Sequence, residues 1–455
     1  MATQGIPKTG AEALRARRRG LDAALGGAPV LIAAGVPRSR SYRAWTYPFR
    51  ANSHFLYFVG RSLPGAFLYL EGGRAELFAP PPGDDHALWH GPTPPDDELK
   101  AATGVDSVRP VSELGALPGL ARALTVPPQE EATAARLGEL LGRPLRLHGG
   151  EPFEGSAADL ALADALIAQR LRHDEAGVAQ LRAAAAATAD AHAAGREASR
   201  PGVREAEVRA HMELALARHG MSTAYSPIVT VHGEVLHHES YEGVLAAGDL
   251  LLADVGAETP EGWACDVTRT WPVGGAMSET QRAVYDVVLG AQRAAIALVR
   301  PGTRYRDVHR AARRHISQGL VALGLLRGDP AELDARGAAE LFFPHGVGHL
   351  LGLDVHDMED LGDRAGYAPG RARSSRFGEC YLRLDRDLEP GMAVTIEPGI
   401  YFVPALLEGP RAEPFRDVLD RNALAGFADV RGIRIEDDVL VTADGHEVLT
   451  EAIPK

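Results

Sequence analysis

Short apolar runs separated by turn residues dominate the first 150 residues of the chain. Four of these runs have the length and composition of β-strands: Val30–Ile32, Phe55–Val59, Ala66–Leu70 and Ala75–Phe78. Three further stretches have helical spacing, at 10–25, 112–123 and 129–142. The proline-rich piece from 79 to 83 is expected to be a loop, because proline breaks a strand. This alternation predicts a small α/β domain.

The pattern changes at Ser156, where the chain becomes rich in Ala, Leu, Arg and Glu. These residue types have high helix propensity, so 157–173 and 174–198 are predicted to be helices. We expect them to connect the N-terminal domain to a larger C-terminal one. The two domains are accordingly placed at 1–160 and 161–455.

A five-residue pattern occurs twice in the C-terminal part. RPGVR at 200–204 and RPGTR at 300–304 each follow one predicted helix and precede another. Proline cannot continue the helical hydrogen bonds and glycine permits a reversal, so each pattern ends a helix. Two such units, each followed by strands, suggest a duplicated α/β half.

Composition limits the classes of function. The chain has 455 residues, enough for two or three domains, and its net charge of −13 argues against a nucleic-acid binder. Its two cysteines, Cys265 and Cys380, build no disulfide framework and no cysteine-rich zinc module. No run approaches the roughly 18 apolar residues that span a bilayer. We predict a cytoplasmic protein with neither nucleic-acid nor membrane partners.

Two aspartates are predicted to lie on opposite arms of one hairpin. Asp254 ends the apolar strand predicted within 249–256, and Asp266 follows the turn 258–262. Antiparallel pairing can bring the two side chains together. Because two buried like charges repel, this arrangement points to a metal between them.

Three later stretches add polar groups inside apolar surroundings. His345 and His349 lie four residues apart, but Gly346 and Gly348 disfavour a helix, so a thermolysin-type zinc helix is not expected. Glu397 ends a β-rich run before a Pro-Gly turn. Arg434 and Glu436 share one face of the run 432–439 by strand alternation.

The candidate ligands amount to four carboxylates and one imidazole. Four carboxylates neutralise two divalent ions, and an oxygen-rich set with one nitrogen suits Mn²⁺ first, with Co²⁺ or Zn²⁺ as alternatives. Two ions about 3.5–4 Å apart can share a water and supply hydroxide at neutral pH.

Five motifs resemble, in order and type, those of the proline-directed pita-bread metallopeptidases, the family of aminopeptidase P (Xaa-Pro aminopeptidase) and prolidase (Xaa-Pro dipeptidase): LLLADVGAE, CDVTRTWP, PHGVGHLLGLDVHD, TIEPGIYF and GIRIEDD. The segment YPFRANSHFLYFVG at 47–60 resembles the start of that branch's N-terminal domain. The resemblance covers nearly the whole chain. It implies an α/β fold with a creatinase-like N-terminal domain and a pseudosymmetric pita-bread catalytic domain, consistent with the repeated RPG pattern.

The resemblance also implies a set of site residues. The implied metal ligands are Asp254, Asp266, His349, Glu397 and Glu436, with Asp266 and Glu436 bridging both ions. Asp254 and Asp266 are one residue further apart than is usual in the family, and we place the extra residue in the turn at 259–261. Glu397 would also take the nucleophile's proton and pass it to the leaving nitrogen. The implied substrate-binding residues are His237, His345, His356 and Arg434, of which His237 and His356 also assist catalysis.

The implied reaction is hydrolysis of the bond between an N-terminal residue and a following proline, by a hydroxide bridging two metal ions. The YPFR segment favours an aminopeptidase, whereas the long stretch between Tyr401 and Gly432 is similar to that of prolidases. Xaa-Pro dipeptidase therefore remains the alternative within the fold. A peptide-binding scaffold of the same fold is the non-enzyme alternative, although all five ligand positions are filled.

The expected partners are peptides with proline at the second position. The resemblance further implies a homodimer or homotetramer. Trp89 is the proposed subunit contact, and its alternative role is core packing.

Overall fold

The N-terminal unit is built around a four-stranded sheet, whose strands are in order β1 (Val30–Ala33), β2 (Phe67–Glu71), β3 (Arg74–Ala79) and β4 (Ser107–Pro110). The computed structural model describes residues 5–83, 85–145, 147 and 155–455. The chain divides into two units, one comprising Pro7–Gly177 with Met358–Ala365, the other built mainly from Val178–Asp357 and Gly366–Lys455. Strands β1 to β3 pair antiparallel, and β4 pairs parallel to β3. The elements of the first unit are α1 (Ala11–Ala24), β1 (Val30–Ala33), α2 (Ser53–Val59), β2 (Phe67–Glu71), β3 (Arg74–Ala79), α3 (His86–His90), α4 (Asp96–Thr103), β4 (Ser107–Pro110), α5 (Glu131–Leu141) and α6 (Ala157–Arg170).

Most sequence-based predictions for this unit are confirmed, and two are wrong. The run Phe55–Val59 is not a strand but lies in helix α2, where Asn52 caps the N-terminus and Gly60, at φ +68°, ends the helix. All seven residues of α2 are buried, so the helix has no polar face and its pattern resembles a buried strand. The stretch 112–123 is not one helix, because two short 3₁₀ turns occupy Val111–Ala116 and Leu120–Arg122.

The predicted domain limit at residue 160 lies inside α6, whereas the division into units falls between Gly177 and Val178. Helix α6 packs on α1, which keeps it in the N-terminal unit. Trp89 in α3 is 74% exposed, so its alternative role in core packing is wrong.

The C-terminal unit has two halves of similar construction. Its first half contains α7 (Glu175–Ala198), α8 (Glu205–Arg218), β5 (Ser222–Thr223), β6 (Ile228–Thr230), β7 (Leu250–Asp254), β8 (Ala257–Glu258) and β9 (Thr268–Pro272). The remaining elements are α9 (Glu279–Ile296), α10 (Tyr305–Ala322), α11 (Pro330–Arg336), α12 (Asp363–Gly366), β10 (Ala393–Ile396), β11 (Gly399–Tyr401), α13 (Pro404–Leu407), α14 (Arg421–Leu424), β12 (Gly432–Arg434), β13 (Asp437–Val441) and β14 (His446–Val448). Most of α12 falls in the segment that belongs to the N-terminal unit.

The two RPG turns are structurally equivalent. Gly202 has φ +89° and donates its N–H to Leu245 O at 2.8 Å, and Gly302 has φ +82° and donates to Leu388 O at 2.8 Å. Each turn separates two helices, α7 from α8 and α9 from α10. The strands of each half come after the second helix, β5 to β9 after α8 and β10 to β14 after α10. The predicted pseudosymmetric fold is confirmed.

Strand pairing brings the ends of distant segments together. The sheet β6-β7-β9 pairs Asp254 with Ile228 on one side and with Thr268 on the other. The sheet β10-β13-β14 and the pair β11-β12 carry the segments around Glu397 and Glu436. A bridge between Leu350 and Val394 holds the segment after His349 against β10. In the described residues, no helix combines the length and apolarity needed to cross a membrane.

Candidate active site

A cavity of about 650 Å³ lies in the C-terminal unit. Residues from both halves line it. They lie at the ends of β7, β10 and β12 and in the segments that precede β6, β7, β9, β10 and β13. All nine residues singled out from the sequence contribute to its wall: His237, Asp254, Asp266, His345, His349, His356, Glu397, Arg434 and Glu436.

Three of these residues form a buried cluster that can hold a metal ion. Asp266, His349 and Glu436 offer ligand atoms that all lie within 4.8 Å of one another. His349 Nε2 is 3.3 Å from Asp266 Oδ2 and 3.7 Å from Glu397 Oε1. His349 Nδ1 lies 3.0 Å from Leu350 O and therefore donates its hydrogen there, which leaves Nε2 as a ligand.

Asp254 stands beside this cluster with a donor on each oxygen. Tyr225 donates its hydroxyl to Asp254 Oδ1 at 2.6 Å, and Arg434 Nη2 donates to Oδ2 at 2.6 Å. The hairpin predicted around Asp254 is present, but its register places Asp254 opposite Thr268. Asp254 and Asp266 are therefore diagonal neighbours rather than a directly opposed pair.

The carboxylates repel one another in a buried setting. Burial and the neighbouring charges of Asp266 and Asp254 raise the pKa of Glu397 to about 7, against the opposing effect of His349 and Arg434. Burial, with the charges of Asp266 and Glu397, raises the pKa of Glu436 well above its usual range. For His349, burial alone would lower the pKa, but the hydrogen bond and charge of Asp266 raise it to about 9. A cluster of carboxylates together with one imidazole, whose Nε2 faces them, is a suitable ligand set for divalent metal ions.

A second layer of side chains orients the carboxylates. Thr268 donates its hydroxyl to Glu436 Oε2 at 2.7 Å and accepts from Arg434 Nε at 2.9 Å. Arg434 Nη1 also donates to the Tyr401 hydroxyl at 3.1 Å. One guanidinium thus connects residues from both halves.

Three members of this network were not predicted from the sequence: Tyr225, Thr268 and Tyr401. Thr268 could have been found, because it follows Asp266 by two residues on the predicted hairpin arm, where alternation would place both side chains on one face. The two tyrosines carry no comparable local signal.

Two histidines of the cavity are held neutral at physiological pH. Burial, with the charge of Arg434, lowers the pKa of His345 to about 3, and burial with the charge of His349 lowers the pKa of His356 to about 2. His345 Nδ1 donates to Gly346 O at 2.7 Å, so its Nε2 accepts from the Tyr401 hydroxyl at 2.9 Å. The ring of His356 lies edge-on to that of His349, with centroids 4.3 Å apart.

The backbone before His349 is tightly constrained. Gly348 has φ +151°, and a Cβ at this position would overlap Thr395 and the Tyr305 hydroxyl. Thr395 Oγ1 accepts from the backbone N–H of His349 at 3.1 Å. Residues 344–349 form no helix, as predicted from Gly346 and Gly348.

The rest of the cavity wall is mainly apolar. Leu236, Val355, Phe377 and Tyr381 contribute to it, together with Arg383, a second cation that the sequence analysis did not single out. The charge of Arg383 also contributes to lowering the pKa of both His345 and His356.

Comparisons with known proteins agree with this geometry. Residues 179–443 match the family described as Metallopeptidase family M24, and residues 14–124 match the family described as Aminopeptidase P, N-terminal domain. A probable Xaa-Pro aminopeptidase of Fusarium vanettenii is 35% identical over 412 residues, which cover 89% of this chain and 85% of that protein.

Solved structures are similar over almost the whole length. The proline aminopeptidase P II from Yersinia pestis superposes with a TM-score of 0.80 at 31% identity, covering 98% of this chain and 97% of the other. Aminopeptidase P from Escherichia coli with the inhibitor Pro-Leu superposes with a TM-score of 0.75 at 30% identity, covering 98% and 96%. The chain therefore belongs to the aminopeptidase P family of the M24 metallopeptidases.

Proposed function

We propose that this metallopeptidase removes the N-terminal residue from peptides whose second residue is proline. The main support is that one cavity brings together three buried carboxylates, the half-buried Glu397, His349 and three further histidines. Relatives that share this architecture over most of their length are named Xaa-Pro aminopeptidases, which supports the same substrate class here.

The residues proposed to hold two divalent ions are Asp254, Asp266, His349, Glu397 and Glu436, with Asp266 and Glu436 shared between them. When bound, the ions would lower the pKa of a shared water and polarise the scissile carbonyl. Mn²⁺ is proposed first, because four carboxylates and one imidazole suit a hard or borderline ion, with Co²⁺ or Zn²⁺ as alternatives.

Side chains of the cavity would move the protons and stabilise charge. Glu397, whose pKa is raised to about 7, is suited to take a proton from the attacking water and return it to the proline nitrogen. Neutral His356 can donate a hydrogen bond to the oxygen that becomes negative during attack. His237, His345 and Arg434 are proposed to position the peptide and the carboxylates.

Arg383 favours a second candidate, the Xaa-Pro dipeptidase. A dipeptide ends in a carboxylate directly after its proline, and a guanidinium in the cavity wall is suited to bind that group. The segment 402–431, which connects β11 to β12, is the long stretch that suggested a dipeptidase from the sequence. In a longer peptide, the same arginine would have no terminal carboxylate to bind beside the proline.

Product analysis by mass spectrometry separates these functions. Mn²⁺-loaded protein is offered an Xaa-Pro dipeptide and an Xaa-Pro-Xaa-Xaa tetrapeptide separately. Release of the first residue from the tetrapeptide, together with slow cleavage of the dipeptide, supports the aminopeptidase. Cleavage of the dipeptide alone, lost in Arg383→Leu, supports the dipeptidase. Cleavage of neither, with metal bound, refutes both and leaves the peptide-binding scaffold.

The homodimer or homotetramer and the cytoplasmic location stay predictions. Leu88 and Trp89 are each 74% exposed on α3, which supports a subunit contact at this helix. Light scattering of the wild type and of Trp89→Ala tests it. A monomeric wild type would contradict the predicted assembly.

A further inference from the structure

The N-terminal unit contains a second, smaller cavity of about 190 Å³. Helix α1 forms one wall and contributes Arg15, Arg18, Arg19 and Asp22, whose spacing of three and four residues places them on one helix face. The start of β3 contributes Arg74, and the loop between α4 and β4 contributes Asp106.

The charge of this cavity is positive, although the chain as a whole carries −13. Four guanidinium groups face two carboxylates, and both carboxylates already accept backbone hydrogen bonds. Asp22 Oδ1 accepts from Gly73 N at 2.9 Å, and Asp106 Oδ2 accepts from Ala75 N at 2.8 Å. The aspartates therefore fix the two loops and neutralise the arginines only in part.

Arg18 is the innermost of the four cations and is 4% exposed. It donates to three backbone carbonyls, Phe58 O at 2.6 Å, Gly104 O at 2.7 Å and Thr103 O at 3.0 Å. In the described part of the chain, the hydrogen bonds of this guanidinium go to carbonyls and not to a carboxylate. Burial is the main cause that lowers the pKa of Arg18 to about 10, and the charges of Arg15 and Arg19 add to it against the opposing charge of Asp106.

Among the residues that the structure describes, the other three arginines pair with Glu12 and Glu76. Arg15 and Arg19 both reach the exposed Glu12, at 3.5 Å and 2.7 Å, and Arg74 lies 3.6 Å from Glu76. The pairs with Glu12 are exposed and contribute little to stability, and Arg74 is itself exposed although Glu76 is not, so an incoming anion can compete for these guanidinium groups.

We propose that this cavity binds a small oxyanion of the phosphate class, either inorganic phosphate or a phosphate group carried by a larger molecule. Arginine forks match the oxygens of such an anion through paired, charge-assisted hydrogen bonds. The cavity is smaller than the roughly 300–1,000 Å³ of sites for drug-sized ligands, so only the phosphate of a larger molecule would enter it.

Isothermal titration calorimetry at constant ionic strength tests the site, with inorganic phosphate and adenosine monophosphate as separate probes. The expected result is one site per chain, with Kd raised about tenfold in Arg15→Ala and in Arg74→Ala, because each variant removes a charge-assisted hydrogen bond. Both arginines are substantially exposed, so folding should survive, which a melting curve checks. The matched control is Arg136→Ala, an exposed arginine of α5 in the same unit, which should leave Kd unchanged.

A further variant removes a negative charge from the cavity instead of a positive one. Asp22→Asn removes a negative charge but keeps an oxygen for the N–H of Gly73, so it should tighten binding. Tighter binding of adenosine monophosphate than of phosphate identifies a carried phosphate group, and equal binding identifies the free anion. Absence of saturable binding, or binding that Arg15→Ala and Arg74→Ala leave unchanged, overturns the proposal. No peptide is present in these titrations, so the result is independent of the proposed peptidase activity.

Discussion

Asp254 and Glu397 occupy equivalent positions in the two halves of the C-terminal unit. Each lies six residues after a glycine with positive φ, Gly248 at +91° and Gly391 at +93°, and each comes at the end of the strand that follows. Both carboxylates line the same cavity. The pseudosymmetry of the fold thus delivers one carboxylate from each half to a common centre.

Substitution Glu397→Gln should abolish most activity while leaving the fold intact. The amide keeps the shape of the side chain but loses the negative charge and the capacity to take a proton, so kcat/KM should fall by about 10²–10⁴. The control is Glu408→Gln, an exposed carboxylate outside the cavity. Near-normal hydrolysis by Glu397→Gln would exclude its role in proton transfer.

Substitution Thr268→Val should weaken metal binding without removing a proposed ligand. The change keeps the volume but deletes the hydroxyl that links Glu436 to Arg434. Loss of such a supporting hydrogen bond typically costs about 10–100-fold in metal affinity or activity. Metal titration followed by calorimetry measures the effect, with the exposed Thr93→Val as control. An unchanged affinity would show that Thr268 does not orient Glu436.

Substitution Gly348→Ala should destabilise the C-terminal unit and displace His349. The new methyl group would overlap Thr395 and Tyr305, at a φ of +151° that L-residues rarely adopt. Overpacking of this kind lowers the free energy of unfolding by about 1–3 kcal/mol. Displacement of the His349 imidazole should also reduce the metal content. Urea denaturation and metal analysis measure both effects. Gly426→Ala, where no atom lies within 4 Å of the added Cβ, should behave as wild type.

Metal removal should lower the thermal stability. The carboxylates around His349 repel one another when no cation separates them, so an ion that binds only the folded state stabilises it, by about 2.7 kcal/mol at 100 times its Kd. A melting curve after chelation should shift down and recover when Mn²⁺ is added. A melting temperature that changes neither on chelation nor on addition of Mn²⁺ would argue against a metal centre.

His192 should contribute to acid sensitivity. The Nε2 atom of His192 lies 3.0 Å from the backbone oxygen of Val255, the residue that follows Asp254 in the chain. Burial lowers the pKa of His192 to about 3. The folded state therefore binds fewer protons than the unfolded state between about pH 3 and about pH 6.5. This contribution to stability is complete above that window and is lost as the pH falls through it.

The comparison of His192→Gln with wild type isolates this effect. The glutamine amide can still donate to Val255 O, so the variant should lose less unfolding free energy than wild type between about pH 7 and about pH 5. The exposed His211→Gln should follow the wild-type curve. Parallel curves for wild type and His192→Gln would contradict the assignment.

The sequence predicts the carboxylates of the site better than their partners. Asp254 and Glu397 stand out because a charge at the end of an apolar strand is visible within one segment. Strand alternation predicts that Arg434 and Glu436 share one face. Both residues do line the cavity, but Glu436 lies between β12 and β13 and not in one strand with Arg434. The contact of Tyr225 with Asp254 depends on tertiary packing between separate segments, and the sequence contains no local signal for it.

Hydrophobic periodicity also does not identify the type of an element whose residues are all buried. Helix α2 has no exposed face, so Phe55–Val59 shows neither helical nor strand periodicity clearly. Its ends carry the missing information, because Asn52 caps the first turn and Gly60 ends the last one. In the same way, exposure of Trp89 depends on the position of α3 in the fold, which its sequence does not indicate.

The distribution of site residues along the chain has a consequence for folding. The proposed ligands extend from Asp254 to Glu436 and come from both halves, so no short segment can hold the ions alone. Contacts between distant segments require loop closure before they contribute stability, and they therefore form late. A metal ion cannot nucleate this fold as zinc does in a small finger domain. The metal content of a preparation should instead report the fraction of chains in which both halves have docked.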